Sequence, residues 1–205
     1  MSTDLTPRRG DREQGLILVA GMAALMWVVE VIDQILGGDL DQYGIEPHKA
    51  EGLVGILFAP FLHAGFGHLI GNTIPFLVLG ATIALSGFVR VAATTAIVAV
   101  VGGLGTWLVA PSGTDHIGAS GVVFGYATYL IARGLFSRNL LHLAVGLVVI
   151  GVYGTTLLFG LIPTDGISWQ GHLFGGVGGV VAARLLDRRQ LRAAAKRDDS
   201  LAALR

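Results

Sequence analysis

Six apolar blocks, each about as long as a helix that crosses a bilayer, leave this chain few ways to fold. They run at residues 15–36, 66–86, 89–110, 117–135, 140–161 and 169–186, with short polar breaks between them. In hydrocarbon every backbone amide must find its partner inside the protein, so blocks of this kind read as helices. Only 14% of the 205 residues are charged, against about 25% in a typical soluble domain. The expected fold class is an all-α polytopic membrane protein, a bundle of six transmembrane helices.

The organisation that follows is simple. Residues 1–14 form a polar N-terminal segment without the layout of a cleaved signal peptide. Residues 15–187 form the membrane domain, and 188–205 a basic tail. Segment 37–65 holds acids, Pro47 and Lys49, then GLVGILFAPFLHAGF, which Pro60 breaks. It reads as an interfacial or re-entrant loop. With six spans the termini share a side, and every Lys and Arg except Lys49 falls on it, Arg90, Arg133, Arg138 and Arg184 included. Cytoplasmic loops carry such an excess, so both termini are expected in the cytoplasm. Trp107 and Trp169 fit an outer interfacial belt.

Composition also excludes chemistry. The absence of cysteine removes disulfides, thiolate catalysis and Cys-ligated metals. Net charge is zero and no basic run is interleaved with aromatics, so nucleic acid is not an expected partner.

Polar residues inside the blocks are costly and mark sites or helix contacts. The second, fourth and sixth blocks run from outside to inside, so their starts share one depth. There lie His63, His68 and Asn72, then Ser120, then His172. Each alone is explained by a hydrogen bond to a neighbouring helix; their shared depth points to a site. His68 and Asn72, four apart, share a helix face. His63 and His68, five apart, would diverge by about 140° on a continuous helix. With no HExxH present, a metal is not expected. Gly121 and Gly125, and Gly171, Gly175 and Gly179, stand at the spacing that lets helix backbones meet. Packing of the fourth block on the sixth would bring Ser120 towards His172.

The chemistry these types allow is acyl transfer. A serine hydroxyl needs a base, and neutral imidazole is the usual one. The Ser120 amide, at a helix start, with His68 and Asn72, would supply donors for an oxyanion. No acid is placed to orient His172. His116 and His48 read as loop residues, the former beside the site, and His142 as an inner-end residue.

The ordered set HAGFGHLIGN, GASGVVFG and GHLFGGVGG resembles the rhomboid intramembrane serine proteases. The resemblance implies a six-helix rhomboid-like bundle in the plasma membrane of a bacterium. It also implies cleavage of transmembrane protein substrates near the outer face by a Ser–His dyad, without cofactor or metal. Ser120 would be nucleophile and His172 base. His68, Asn72 and the Ser120 amide would form the oxyanion hole, with His63, Gly118 and Phe124 in support. Phe124 stands where some members carry tyrosine, and LVGILFAP lacks the Trp-Arg pair found in the first loop of many bacterial members. Two other readings stand beside this one. One is a catalytically silent rhomboid-like binder of membrane proteins; the other, a small transporter, would need charges at midplane that the later blocks lack.

Overall fold

The computed structural model describes residues 7–137 and 139–202, with side chains described through Asp187. Arg138 and all six cations of the 188–205 tail lie outside those described side chains. Among the described residues seven α-helices run in chain order: α1 Arg9–Leu36, α2 Gly55–Phe58, α3 Phe66–Ala84, α4 Phe88–Val109, α5 Ser120–Phe136, α6 Leu140–Phe159 and α7 Trp169–Ala202. No strand occurs among the described residues.

Four of these helices, α1, α3, α4 and α6, are long and apolar enough to cross a membrane. The other two expected spans differ for physical reasons. α5 has 17 residues, because Gly118 and Ala119 are taken by the turn before it. α7 continues without a break through the charged residues after Leu186, so the last apolar block and the tail as far as Ala202 form one helix. Likewise α1 begins at Arg9, before the apolar run, where the Asp11 carboxylate accepts from the Phe88 amide and caps the start of α4.

α5 is the centre of the bundle. It packs most closely on α7, and also on α6, α4 and α3. Tyr126, Tyr129 and Ala127 on α5 are fully buried against Phe76, Leu79 and Ile83 of α3 and Met26 of α1. α6 buries only Gly146 and Val149, and Leu147, Val148 and Val152 face outward. An apolar surface of that kind suits lipid, not water.

The α5–α7 seam is built from missing side chains. A Cβ at Gly175 would land on the Gly121 carbonyl, and one at Gly179 on the Gly125 carbonyl. Only hydrogen fits there, and the two backbones touch as the spacing predicts.

At the end of the bundle away from Ser120, buried charges join three helices. Arg90 of α4 donates to Asp187 of α7 and to the Tyr129 hydroxyl of α5, each at 2.9 Å. Arg133 of α5 lies 3.8 Å from the same Asp187 oxygen and donates to Ser86 Oγ at 2.6 Å. Arg90 and Arg133, counted in the sequence as loop charges, are thus a helix-to-helix clamp.

Segment 37–65 is a folded loop tied down without a Trp-Arg pair. Asp33 accepts from the Leu40 amide at 2.7 Å, and Trp107 donates to the Lys49 carbonyl at 2.8 Å. Ile45 and His116 exchange backbone hydrogen bonds of 2.9 and 3.1 Å. Short helical turns at Asp39–Tyr43, Glu51–Leu53 and Ala59–Phe61, with α2 between the last two, fold the rest.

Candidate active site

Ser120 opens α5 and is half-buried. The chain reaches it through Gly118, whose φ of 110° is open to glycine and strained for other residues. The turn is pinned from both sides: the Gly118 amide donates to the Ala59 carbonyl at 2.8 Å, and the Ala119 amide to His63 Nε2 at 3.3 Å. The Ser120 amide, in the first turn of α5, is one of those that a helix leaves without an intrahelical acceptor.

His172 lies in the first turn of α7. Its ring stacks on Phe124, one turn beyond Ser120 on the same face of α5, with centroids 4.1 Å apart and planes 7° apart. The seam fixes this meeting, since a Cβ on Gly121 would stand only 3.1 Å from the Gly171 carbonyl. His172 Nδ1 lies 2.7 Å from the Gly160 carbonyl oxygen at the end of α6. No hydrogen bond joins Ser120 Oγ to the ring among the described residues. Such bonds are often long before substrate binds.

His68 and Asn72 face the same turn from α3. A Cβ at Gly118 would stand 2.8 Å from His68 Nε2 and 3.7 Å from Asn72 Nδ2. Asn72 Nδ2 is buried and makes no hydrogen bond. A buried donor without an acceptor is costly, and here it sits beside the serine turn.

His63 departs from the expected divergence. The helix begins only at Phe66, so His63 is on a loop and its ring meets His68 edge-on, with centroids 5.1 Å apart. Among the described residues no cluster of three or more His, Cys, Asp or Glu side chains is placed to hold a metal. Burial, reinforced by His68, pushes the His63 imidazole down to about 4 from an ordinary 6.5. The folded state therefore resists protonating it, and its contribution to stability is lost as pH falls from about 6.5 towards 4. Thermal melts from pH 7 to pH 4 are expected to fall more steeply for the native protein than for His63→Gln. Parallel curves would refute this.

Sequence reasoning missed two partners. His116, in the sequence a loop residue beside the site, bonds Ser168 Oγ at 2.7 Å, and Ser168 accepts from the Gly171 amide, so the loops before α5 and α7 are tied together. Burial lowers the affinity of His116 for a proton. Gly160 acts through its backbone, which leaves no signal in side-chain type. An apolar pocket beside Ser120 is lined by Ile56, Val98, Ile117 and Val122, with His116 and Ser168 among its polar residues.

A family model, the Rhomboid domain, matches residues 50–189. The chain belongs to the rhomboid family. It is an integral membrane protein, as that family and its apolar helices require. An uncharacterized protein of Mycobacterium tuberculosis is 47% identical over 202 residues, covering 94% of this chain and 84% of the relative. One from Mycobacterium leprae is 46% identical over 181 residues, covering 84% and 71%. A Bacillus subtilis protein named "Putative rhomboid protease YdcA" is 30% identical over 132 residues, covering 64% and 66%. As a rhomboid this chain has a protease family's framework, and its own polar cluster lies inside the matched region.

Proposed function

We propose that this rhomboid is an intramembrane serine endopeptidase that cuts transmembrane proteins near the outer face of the membrane. The observation that carries the reading is the placement of His172 over the Ser120 face of α5, against Phe124. His172 takes the proton of Ser120 Oγ as the oxygen attacks a peptide carbonyl. The oxyanion forms beside the Ser120 amide, His68 and the unpaired Asn72 Nδ2, a donor that lacks an acceptor until that charge develops. His172 then protonates the leaving amine, and water releases the acyl group by the same steps in reverse order. His63 and Gly118 hold the turn. We further propose that α5 and α7 complete a six-span bundle with both termini in the cytoplasm, in a bacterial plasma membrane.

One observation favours a second reading, a rhomboid-like binder of membrane proteins that cuts nothing: Ser120 Oγ and His172 are not hydrogen-bonded to each other. A serine-directed fluorophosphonate probe separates the two. Purified protein in detergent or lipid is expected to be labelled, and folded Ser120→Ala and His172→Ala variants to lose the label. Labelling that survives in Ser120→Ala, or no labelling of folded native protein, would sink the protease reading.

A further inference from the structure

Among the described residues the His172 ring has one hydrogen-bond partner, and it is a main-chain carbonyl, not a carboxylate. Carbonyl oxygen only accepts, so a neutral imidazole bonded through Nδ1 must carry its proton there and present its lone pair at Nε2. In a Ser–His–Asp triad the acid performs this selection. We propose that Gly160 is a positioning residue: its carbonyl holds His172 as the Nδ1–H tautomer, so the base is competent only while the end of α6 stays docked on it. The catalytic arm of this proposal rests on the protease reading above; the tautomer itself does not.

Three features of the chain support the assignment. First, Gly160 is the C-terminal cap of α6, where carbonyls lack intrahelical donors. The negative end of the helix dipole also favours the imidazolium that forms when Ser120 gives up its proton. Second, the contact requires glycine. A Cβ at residue 160 would stand 3.0 Å from His172 Nδ1 and would run into the Phe124 ring. Ring, carbonyl and Phe124 therefore form one packed unit: Phe124 fixes the ring plane, and Gly160 fixes its rotation within that plane. Third, the helix that carries the carbonyl is loosely held. α6 buries two residues and packs mainly on α5. A shift of about 1 Å at its end would take the 2.7 Å contact beyond hydrogen-bond range.

The test reads the proton directly. The full chain, labelled with nitrogen-15 at histidine and held in lipid bilayers, is examined by solid-state NMR above the titration range of the ring. A His172→Gln sample identifies the His172 signals. The expected result is a protonated Nδ1 and an unprotonated Nε2. An Nε2–H ring overturns the proposal. A second sample replaces the amide between Gly160 and Leu161 by an ester, which weakens the Gly160 carbonyl as an acceptor and adds no side chain. The NMR signals should shift towards Nε2–H, and kcat should fall about three- to tenfold with KM unchanged. A fall in kcat with the tautomer unmoved would mean a merely structural role and overturns the proposal. Should the native protein label with no serine probe, the protease reading fails, while the tautomer spectrum still decides the role of Gly160.

Discussion

Loss of either Ser120 or His172 is expected to lower cleavage of a transmembrane reporter by about 10⁴-fold or more, and loss of both by no more than either alone. The reason is that the two side chains perform one act, a single proton transfer coupled to attack. Once the base is gone the hydroxyl is inert, and once the hydroxyl is gone the base has nothing to deprotonate. The oxyanion donors remain in every variant, so a residual rate above water is expected from His68, Asn72 and the Ser120 amide. The measurement is turnover of a single-span substrate in proteoliposomes for the native protein, Ser120→Ala, His172→Ala and the double variant, each shown to be folded by thermal melts. Losses that multiply in the double variant would mean that the residues act separately, and would remove the dyad from the mechanism.

The other large effect lies at the far end of the bundle. Asp187→Ala leaves two guanidiniums buried without their shared carboxylate, Arg90 at 2.9 Å and Arg133 at 3.8 Å in the intact protein. Breaking a buried ion pair from one side costs about 3–5 kcal/mol, since the stranded charge cannot be rehydrated. Replacing the whole group by apolar residues, as in Asp187→Leu with Arg90→Met and Arg133→Met, should recover most of that loss. Chemical unfolding in detergent measures both. If Asp187→Ala unfolds like the native protein, the clamp contributes nothing and the charges are solvated.

The sequence and the structure agree where a signal is local and repeats. The apolar blocks at residues 66–86, 89–110 and 140–161 match α3, α4 and α6 within a few residues, because hydrophobic length is written continuously along the chain. The four-residue glycine spacing allows the close approach that α5 and α7 make, and the spacing of His68 and Asn72 puts them on one helix face, which in the structure lies near Gly118. Agreement fails where the decisive fact is a boundary or a long-range meeting. The angle between His63 and His68 was reckoned on a helix that starts only at Phe66, and the turn before it brings the rings together. Arg90, Arg133 and Asp187 carry the letters of loop charges, and nothing local says that three helices converge on them. An arginine within an otherwise apolar run, as Arg133 is, was the available hint. The Gly160 carbonyl had no hint at all, because every residue has one.

The seam also restricts the routes by which this protein can change. Positions 175 and 179 admit nothing larger than hydrogen, because each would strike a carbonyl of the facing backbone, which cannot turn aside as a side chain does. The distance between the helices that carry Ser120 and His172 is therefore not a quantity that substitution can adjust in small steps. Variation near the site has to fall elsewhere, on partly buried side chains such as Ile56 at the neighbouring pocket or on the outward surface of α6, where exchange of one apolar residue for another costs little. The seam is closed to gradual variation, as Gly118 and Gly160 are, while the outward side chains of α6 are open to it.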